Sequence, residues 1–280
     1  MSYALYINKP KGITSFDVCY KLRRVLNTKK IGHTGTLDPN ATGVMIVLFD
    51  SSTKANQFLV TDSKEYVCKV KIGIETDTLD IDGNIIDEKE CTIPSKEVIT
   101  SLLSSFIGKQ KQVVPMTSAV KIDGKKLYEY QREGKQIELP IRDIEIFDIE
   151  LLDLDKDSFT FRTKVSAGTY IRALARDILM KLNVIGTVEE LTRTKVDDIC
   201  IEECDNLEDV IAGRYQKHDL LDIMSRRYFS CDYNPIKDIE NGKRIKLNTD
   251  IEKVIIVHDN ELYAVYQKDG DMYKCVRGLR

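Results

Sequence analysis

The chain has 280 residues, room for roughly two domains at about 150 residues each, and its 42% hydrophobic and 31% charged residues exclude a long disordered chain. Forty-two Lys and Arg against 45 Asp and Glu leave a net charge of -3, which excludes a uniformly basic nucleic-acid coat but not a local basic face. The longest unbroken apolar run, Val44 to Phe49, is too short for a membrane span, and Met1 to Asn8 lacks the basic start of a signal peptide.

Lys9 to Gly12 and Pro39 to Gly43 punctuate the first fifty residues. Between them the spacing predicts a helix capped by Thr14 or Ser15, with Val18, Leu22, Val25 and Leu26 on one face. Tyr66 to Ile74 alternates as a strand, Tyr66, Cys68, Val70, Ile72 and Ile74 pointing one way and Lys69 and Lys71 the other. A second helix is expected from Ser95, just after Pro94, with Val98, Leu102 and Phe106 inward, ending at Gly108. Ile144 to Leu152 is a further strand, and Phe159, Phe161, Thr163 and Val165 alternate in another. A third helix begins near Thr169 with Ile171, Leu174, Ala175, Ile178 and Leu182 at helical spacing.

Residues 197–213 hold seven acids and no Lys or Arg, which marks a boundary. After about residue 228 the helix pattern stops. Short strands are expected at Val254 to Val257, Leu262 to Gln267 and Met272 to Val276, the last two joined around Asp269-Gly270. Strands in clusters with helices between them, without regular alternation, predict an α+β fold with a largely antiparallel sheet. Residues 1–228 then form the main domain and 229–280 a small β module.

Charge is uneven. Residues 1–60 carry +5 (Lys9, Lys11, Lys21, Arg23, Arg24, Lys29, Lys30 and Lys54 against Asp17, Asp38 and Asp50), and residues 160–196 carry +4. Two such segments around a common site make a phosphate-binding surface. Seven Cys, none in a Cys-x-x-Cys pair, read as reduced thiols of a cytoplasmic protein. The three His have no metal-ligand spacing, and Thr76 to Gly83 fails as a calcium loop because Thr78 and Lys89 fall at its first and twelfth positions. The densest special segment is Gly32-His33-Thr34-Gly35-Thr36-Leu37-Asp38-Pro39-Asn40-Ala41-Thr42-Gly43. The residue before a proline is pushed toward extended geometry, so Asp38 is presented by a loop. By itself such an aspartate is more often a turn or cap residue than a catalyst.

Taken with Lys9-Pro10-Lys11-Gly12-Ile13-Thr14-Ser15, Lys64-Glu65-Tyr66, Ser118-Ala119-Val120-Lys121, Leu127-Tyr128-Glu129-Tyr130, Gly168-Thr169-Tyr170-Ile171-Arg172 and Arg193-Thr194-Lys195-Val196, this loop resembles the TruB family, the bacterial tRNA pseudouridine synthases acting on uridine 55 of the T-loop. The likeness runs from about residue 3 to 200, and the strands after Asn241-Gly242-Lys243 resemble the family's PUA-like RNA-binding tail. The resemblance implies a pseudouridine synthase fold, a mixed, largely antiparallel sheet flanked by helices. It also implies an isomerase without metal or organic cofactor, acting on the T-loop and stem of tRNA as a monomer, with no protein partner required and no membrane. Asp38 would be the essential aspartate, either attacking the sugar carbon or removing a proton on a glycal route. Arg172 would pair with it and Tyr66 would stack on the target base. His33 would fill the space the everted base leaves. Tyr170 and Leu191 would line the base pocket, Lys9 and Pro10 would support its wall, and residues 121–142 would form an RNA-clamping insertion. Val44 to Val47, Asp50, Thr117 and Ala167 depart from the usual pattern.

Overall fold

The computed structural model describes residues 3–59 and 62–280. In chain order it builds β1 (Tyr3–Lys9), α1 (Ser15–Val25), β2 (Ile31–His33), β3 (Thr42–Phe49), β4 (Ser63–Ile72), α2 (Lys96–Ser104), β5 (Gly108–Val113), β6 (Ile141–Leu154), β7 (Ser158–Ser166), α3 (Ile171–Leu182), β8 (Gly186–Val196), β9 (Phe229–Asp232), β10 (Lys253–His258), β11 (Glu261–Asp269) and β12 (Met272–Gly278), with shorter pieces between. The chain divides into two compact units. One holds Met1–Asp38, Val44–Val60 and Glu202–Arg280, the other Pro39–Gly43 and Thr61–Ile201.

In the first unit β1 lies between β3 and a short parallel strand, Asp205–Asn206, while β2 runs antiparallel to β3. Helix α1 starts where the chain predicts. Thr14 Oγ1 accepts from Asp17 N at 3.0 Å and Asp17 Oδ2 accepts from Thr14 N at 2.9 Å, a reciprocal cap worth about 1 kcal/mol. The Thr14 hydroxyl, donating to Asp17 Oδ2 at 2.6 Å, and then the Thr14 N–H hold the Asp17 carboxyl below its ordinary pKa. Val18 and Leu22 pack on Leu5, Ile7, Met45 and Phe49. Val25, expected on the same face, is exposed instead at the last helical position, while Leu26 after it packs on that core.

The same unit contains the sheet β9–β10–β11–β12, with its own core of Val254, Ile256, Ala264, Tyr266 and Tyr273. Asp269 pairs with Met272, so Gly270 and Asp271 close the expected hairpin, with Gly270 at φ +67°. The expectation that helix ends near residue 228 needs correction: Ile236–Glu240 is helical, a span too short to show a 3.6-residue period.

In the second unit β8, β4, β7, β6 and β5 pair antiparallel in that order. Tyr66, Cys68, Val70 and Ile72 are buried from one strand and Phe159, Phe161, Thr163 and Val165 from the next, as their alternation requires. Ile74 leaves that series because Gly73, at φ +94°, ends the strand before it. Helix α2 also differs. Ile99, Leu103 and Phe106 are buried, while Val98 is 52% exposed. Residues 98 and 102 and residues 99 and 103 are both apolar pairs four apart, and packing on β6 and α3 selects the second. Helix α3 buries Ile171, Leu174, Ala175 and Ile178.

Candidate active site

Asp38 closes the first unit's share of the glycine-rich loop and is half-buried. Its neighbour Leu37 is held at both backbone atoms by one buried hydroxyl. Ser15 Oγ accepts from Leu37 N at 2.9 Å and donates to Leu37 O at 3.0 Å. Lys9 is buried, with Nζ donating to Pro10 O at 2.9 Å and Ile13 O at 2.7 Å, so the lysine braces the turn before α1 while Pro10 itself is exposed. His33 is half-buried on β2 opposite Val47. It lines a cavity of about 520 Å³ with Phe16, Tyr20, Arg23, Lys29 and Lys30, and no carboxylate lines that cavity. Phe16 and Tyr20 are exposed there, and the Arg23 guanidinium lies 5.9 Å from the Tyr20 ring centre. Rings beside cations suit nucleobases and phosphates together.

The second unit receives the loop's continuation. Asn40 Nδ2 donates to Asp80 Oδ1 at 2.8 Å, and the Thr42 and Thr192 hydroxyls meet at 2.9 Å. Thr42 and Gly43 run parallel to Thr192 and Arg193 of β8. Gly43 has φ +104° and lies so close that a Cβ there would stand 2.2 Å from the Arg193 carbonyl oxygen. Pro39, the next residue after Asp38, thus begins a segment fixed to β8.

Tyr66 of β4 stands opposite Arg193 of β8, and Cys68 opposite Leu191, so these four side chains share one face of the sheet. Tyr66 and Leu191 are each 7% exposed, buried walls with an edge open. Burial, then the Asp80 charge, pushes the Cys68 thiol far above its ordinary pKa and leaves it inert. Lys64, also on β4, falls to about 8, chiefly through burial and then repulsion from Arg193, with Asp197 opposing.

Arg172 is buried on α3. Its Nη1 donates to Thr78 O at 2.8 Å and Thr117 Oγ1 at 2.6 Å, and its Nη2 to Thr117 O at 2.9 Å. Tyr170 is half-buried and is the N-cap residue of the same helix. Removing the Arg172 side chain strands these acceptors. Arg172→Ala is expected to cost about 3 kcal/mol, read as a fall in melting midpoint of about 6–12 °C at about 2–4 °C per kcal/mol. Residues 121–142 form a short hairpin and the helix Leu127–Arg132. Lys125 and Lys135 both pair with Glu133 there, and Lys126 and Arg132 lie over the Tyr128 ring at 5.3 and 5.4 Å.

Four residues that hold this arrangement were not singled out for it in the sequence: Ser15, Asp80, Gln112 and Thr117. Each is a lone polar residue without a period, and only its burial or bonding reveals it. All seven cysteines are thiols outside any disulfide. Among the described residues no group of three or more His, Cys, Asp or Glu has metal-holding geometry, and no helix is long and apolar enough to cross a membrane.

A family model described as TruB family pseudouridylate synthase (N terminal domain) matches residues 23–171. The chain is 42% identical over 283 residues to the tRNA pseudouridine synthase B of Alkaliphilus oremlandii, covering 99% of this chain and 94% of that one. It is 42% identical over 275 residues to the protein of the same name from Fusobacterium nucleatum, with 96% and 93% covered. Among solved structures, a chain of an H/ACA ribonucleoprotein bound to a substrate RNA containing 2'-deoxyuridine matches with TM-score 0.73 at 20% identity, over 99% of this chain and 85% of that one. A chain of a Cbf5–Nop10–Gar1 complex matches with TM-score 0.73 at 22% identity and the same coverage. The two structures carry the fold alone, and the fold they share with this chain is that of pseudouridine synthases.

Proposed function

The chain belongs to the TruB family of pseudouridylate synthases, and from that premise we propose that it isomerises uridine to pseudouridine at position 55 in the T-loop of tRNA. The observation that carries the reading is the way Asp38 is presented: the loop is held on one flank by Ser15 at Leu37 and on the other by Asn40 at Asp80. A carboxylate carried on a backbone held at both flanks is placed to attack a sugar carbon or take a proton.

The reaction breaks the bond between N1 of uracil and C1' of the ribose, turns the base, and rejoins C1' to C5. The proton on C5 is lost and N1 gains one, so atoms balance without an oxidant or an added group. Asp38 acts at C1' or on a ribose proton. Arg172 is the arginine that serves it, Tyr66 stacks on the everted uracil, Tyr170 and Leu191 line the base pocket, and Lys9 and Pro10 support it. His33 fills the space that the base vacates. Unstacking costs a few kcal/mol, which the replacement contacts offset. The basic cavity beside His33 supports contact with the loop and stem phosphates. Residues 1–228 act as the catalytic domain and 229–280 as an RNA-binding tail, in a monomer that needs no protein partner and works in the cytoplasm.

The test is pseudouridine mapping in a T-loop transcript incubated with the protein. No product at the target uridine would end the reading. Tyr66→Phe gives a sharper expectation: it keeps the stacking ring, so RNA affinity should stay within about twofold while turnover falls by about 10²-fold or more if the hydroxyl moves a proton, the usual range for a lost proton-transfer group. Unchanged turnover would assign Tyr66 to stacking alone.

A further inference from the structure

Gln112 lies on β5, 2% exposed, and its side-chain amide spans both polar atoms of one peptide residue. Oε1 accepts from Tyr170 N at 2.8 Å, and Nε2 donates to Tyr170 O at 3.1 Å. The paired bonds form a closed ring, as two strand residues do, so they fix the plane of the backbone as well as its distance. Tyr170 is the N-cap residue of α3, and its own side chain makes no cap bond. Its carbonyl also accepts from Leu174 N at 3.0 Å, the first turn of the helix. Both lone pairs of that oxygen are therefore used, one by the helix and one by Gln112.

Upstream the chain is held loosely. Gly168 is at φ +83°, and Thr169 N reaches Ser166 O only at 3.4 Å. Downstream, Arg172 follows two residues later with three hydrogen bonds of its own. The glutamine stands on firm ground, because its backbone pairs with Arg142 of β6 within the sheet. The amide is thus the rigid tie that sets where α3 begins and how Tyr170 and Arg172 leave it.

We propose that Gln112 is a positioning residue for the isomerisation: it clamps the Tyr170 peptide to the sheet and so aims Tyr170 and Arg172 at the reacting nucleoside. The proposal rests on the roles given to those two residues above. It assigns Gln112 no contact with RNA. Its removal should therefore slow the chemical step and spare binding, since a misplacement of about 1 Å costs up to about 10²-fold in rate.

The test is single-turnover kinetics on a T-loop transcript with Gln112→Met, which keeps the volume and removes both hydrogen-bonding atoms. The rate constant should fall at least about tenfold, while Kd for the transcript stays within about twofold, a split that a purely structural loss would not produce. Gln112→Asn, whose amide is one methylene short of the peptide, should show the same split and decides the matter if the methionine variant does not fold. Amide hydrogen exchange gives a readout independent of activity. Tyr170 N–H should be protected in the wild type and should exchange faster in a folded variant. A wild-type rate in either variant, a loss confined to Kd, or an unprotected Tyr170 amide in the wild type would overturn the proposal. A wild type that makes no pseudouridine would sink the function instead, and the exchange of Tyr170 would still judge the clamp.

Discussion

Asp38→Ala should bring pseudouridine formation to background. General acid–base catalysis alone is worth about 10²–10⁴-fold, and loss of a nucleophile leaves only positioning and binding, so the fall should be about 10⁴-fold or more. The bonds that hold the loop, Ser15 to Leu37 and Asn40 to Asp80, do not use the Asp38 carboxyl. The melting midpoint of the same preparation separates loss of chemistry from loss of folding. Asp38→Asn keeps the shape and removes the charge, and it should be equally inactive. The measurement is product per transcript after long incubation with excess enzyme. Full conversion by either variant would remove Asp38 from the mechanism.

Gly43→Ala should be severely destabilising. The position needs φ +104°, and the added methyl would stand 2.2 Å from Arg193 O, 2.8 Å from Arg193 N and 2.9 Å from Arg193 C. Those atoms are backbone in a paired strand and cannot turn aside. Relief requires β3 and β8 to part, which removes the Thr42–Thr192 contact and moves the segment that follows Asp38. A cost above about 4 kcal/mol places this among the severe class of substitutions, a fall in midpoint of about 8–16 °C or failure to fold. Gly12 supplies the control. It has φ +88° with nothing within 4 Å of a Cβ, so Gly12→Ala meets backbone strain alone, about 1–2 kcal/mol. Equal stability of the two variants would show that the approach to Arg193 is not tight.

Much of this was legible in the sequence where a period or a cap carried it. The alternation from Tyr66 to Ile72 and from Phe159 to Val165 follows directly from strand geometry, and a cap at Thr14 or Ser15 announced the start of α1, of which the structure selects Thr14. The inward face of α2 was not legible, because two apolar stripes one residue apart compete and only the packed neighbours choose between them. Asp80 lies within Thr76 to Gly83, a segment whose sequence suggests only a calcium loop and fails as one. Its bond to Asn40 joins residues forty apart in the chain, which no local pattern records. Gln112 and Thr117 act on α3 from more than fifty residues away, and the same reason hid them.

The grouping of Pro39–Gly43 with residues 61–201, while the chain on either side belongs elsewhere, bears on dissection of the protein. No single cut yields a self-sufficient piece. A recombinant fragment of residues 61–201 would lack the pentapeptide that lies along β8, leaving bare the N–H and C=O groups that Thr42 and Gly43 cover. Naked strand edges invite pairing between molecules. Such a fragment should precipitate or self-associate on expression, and adding the missing pentapeptide through a designed linker should restore its solubility.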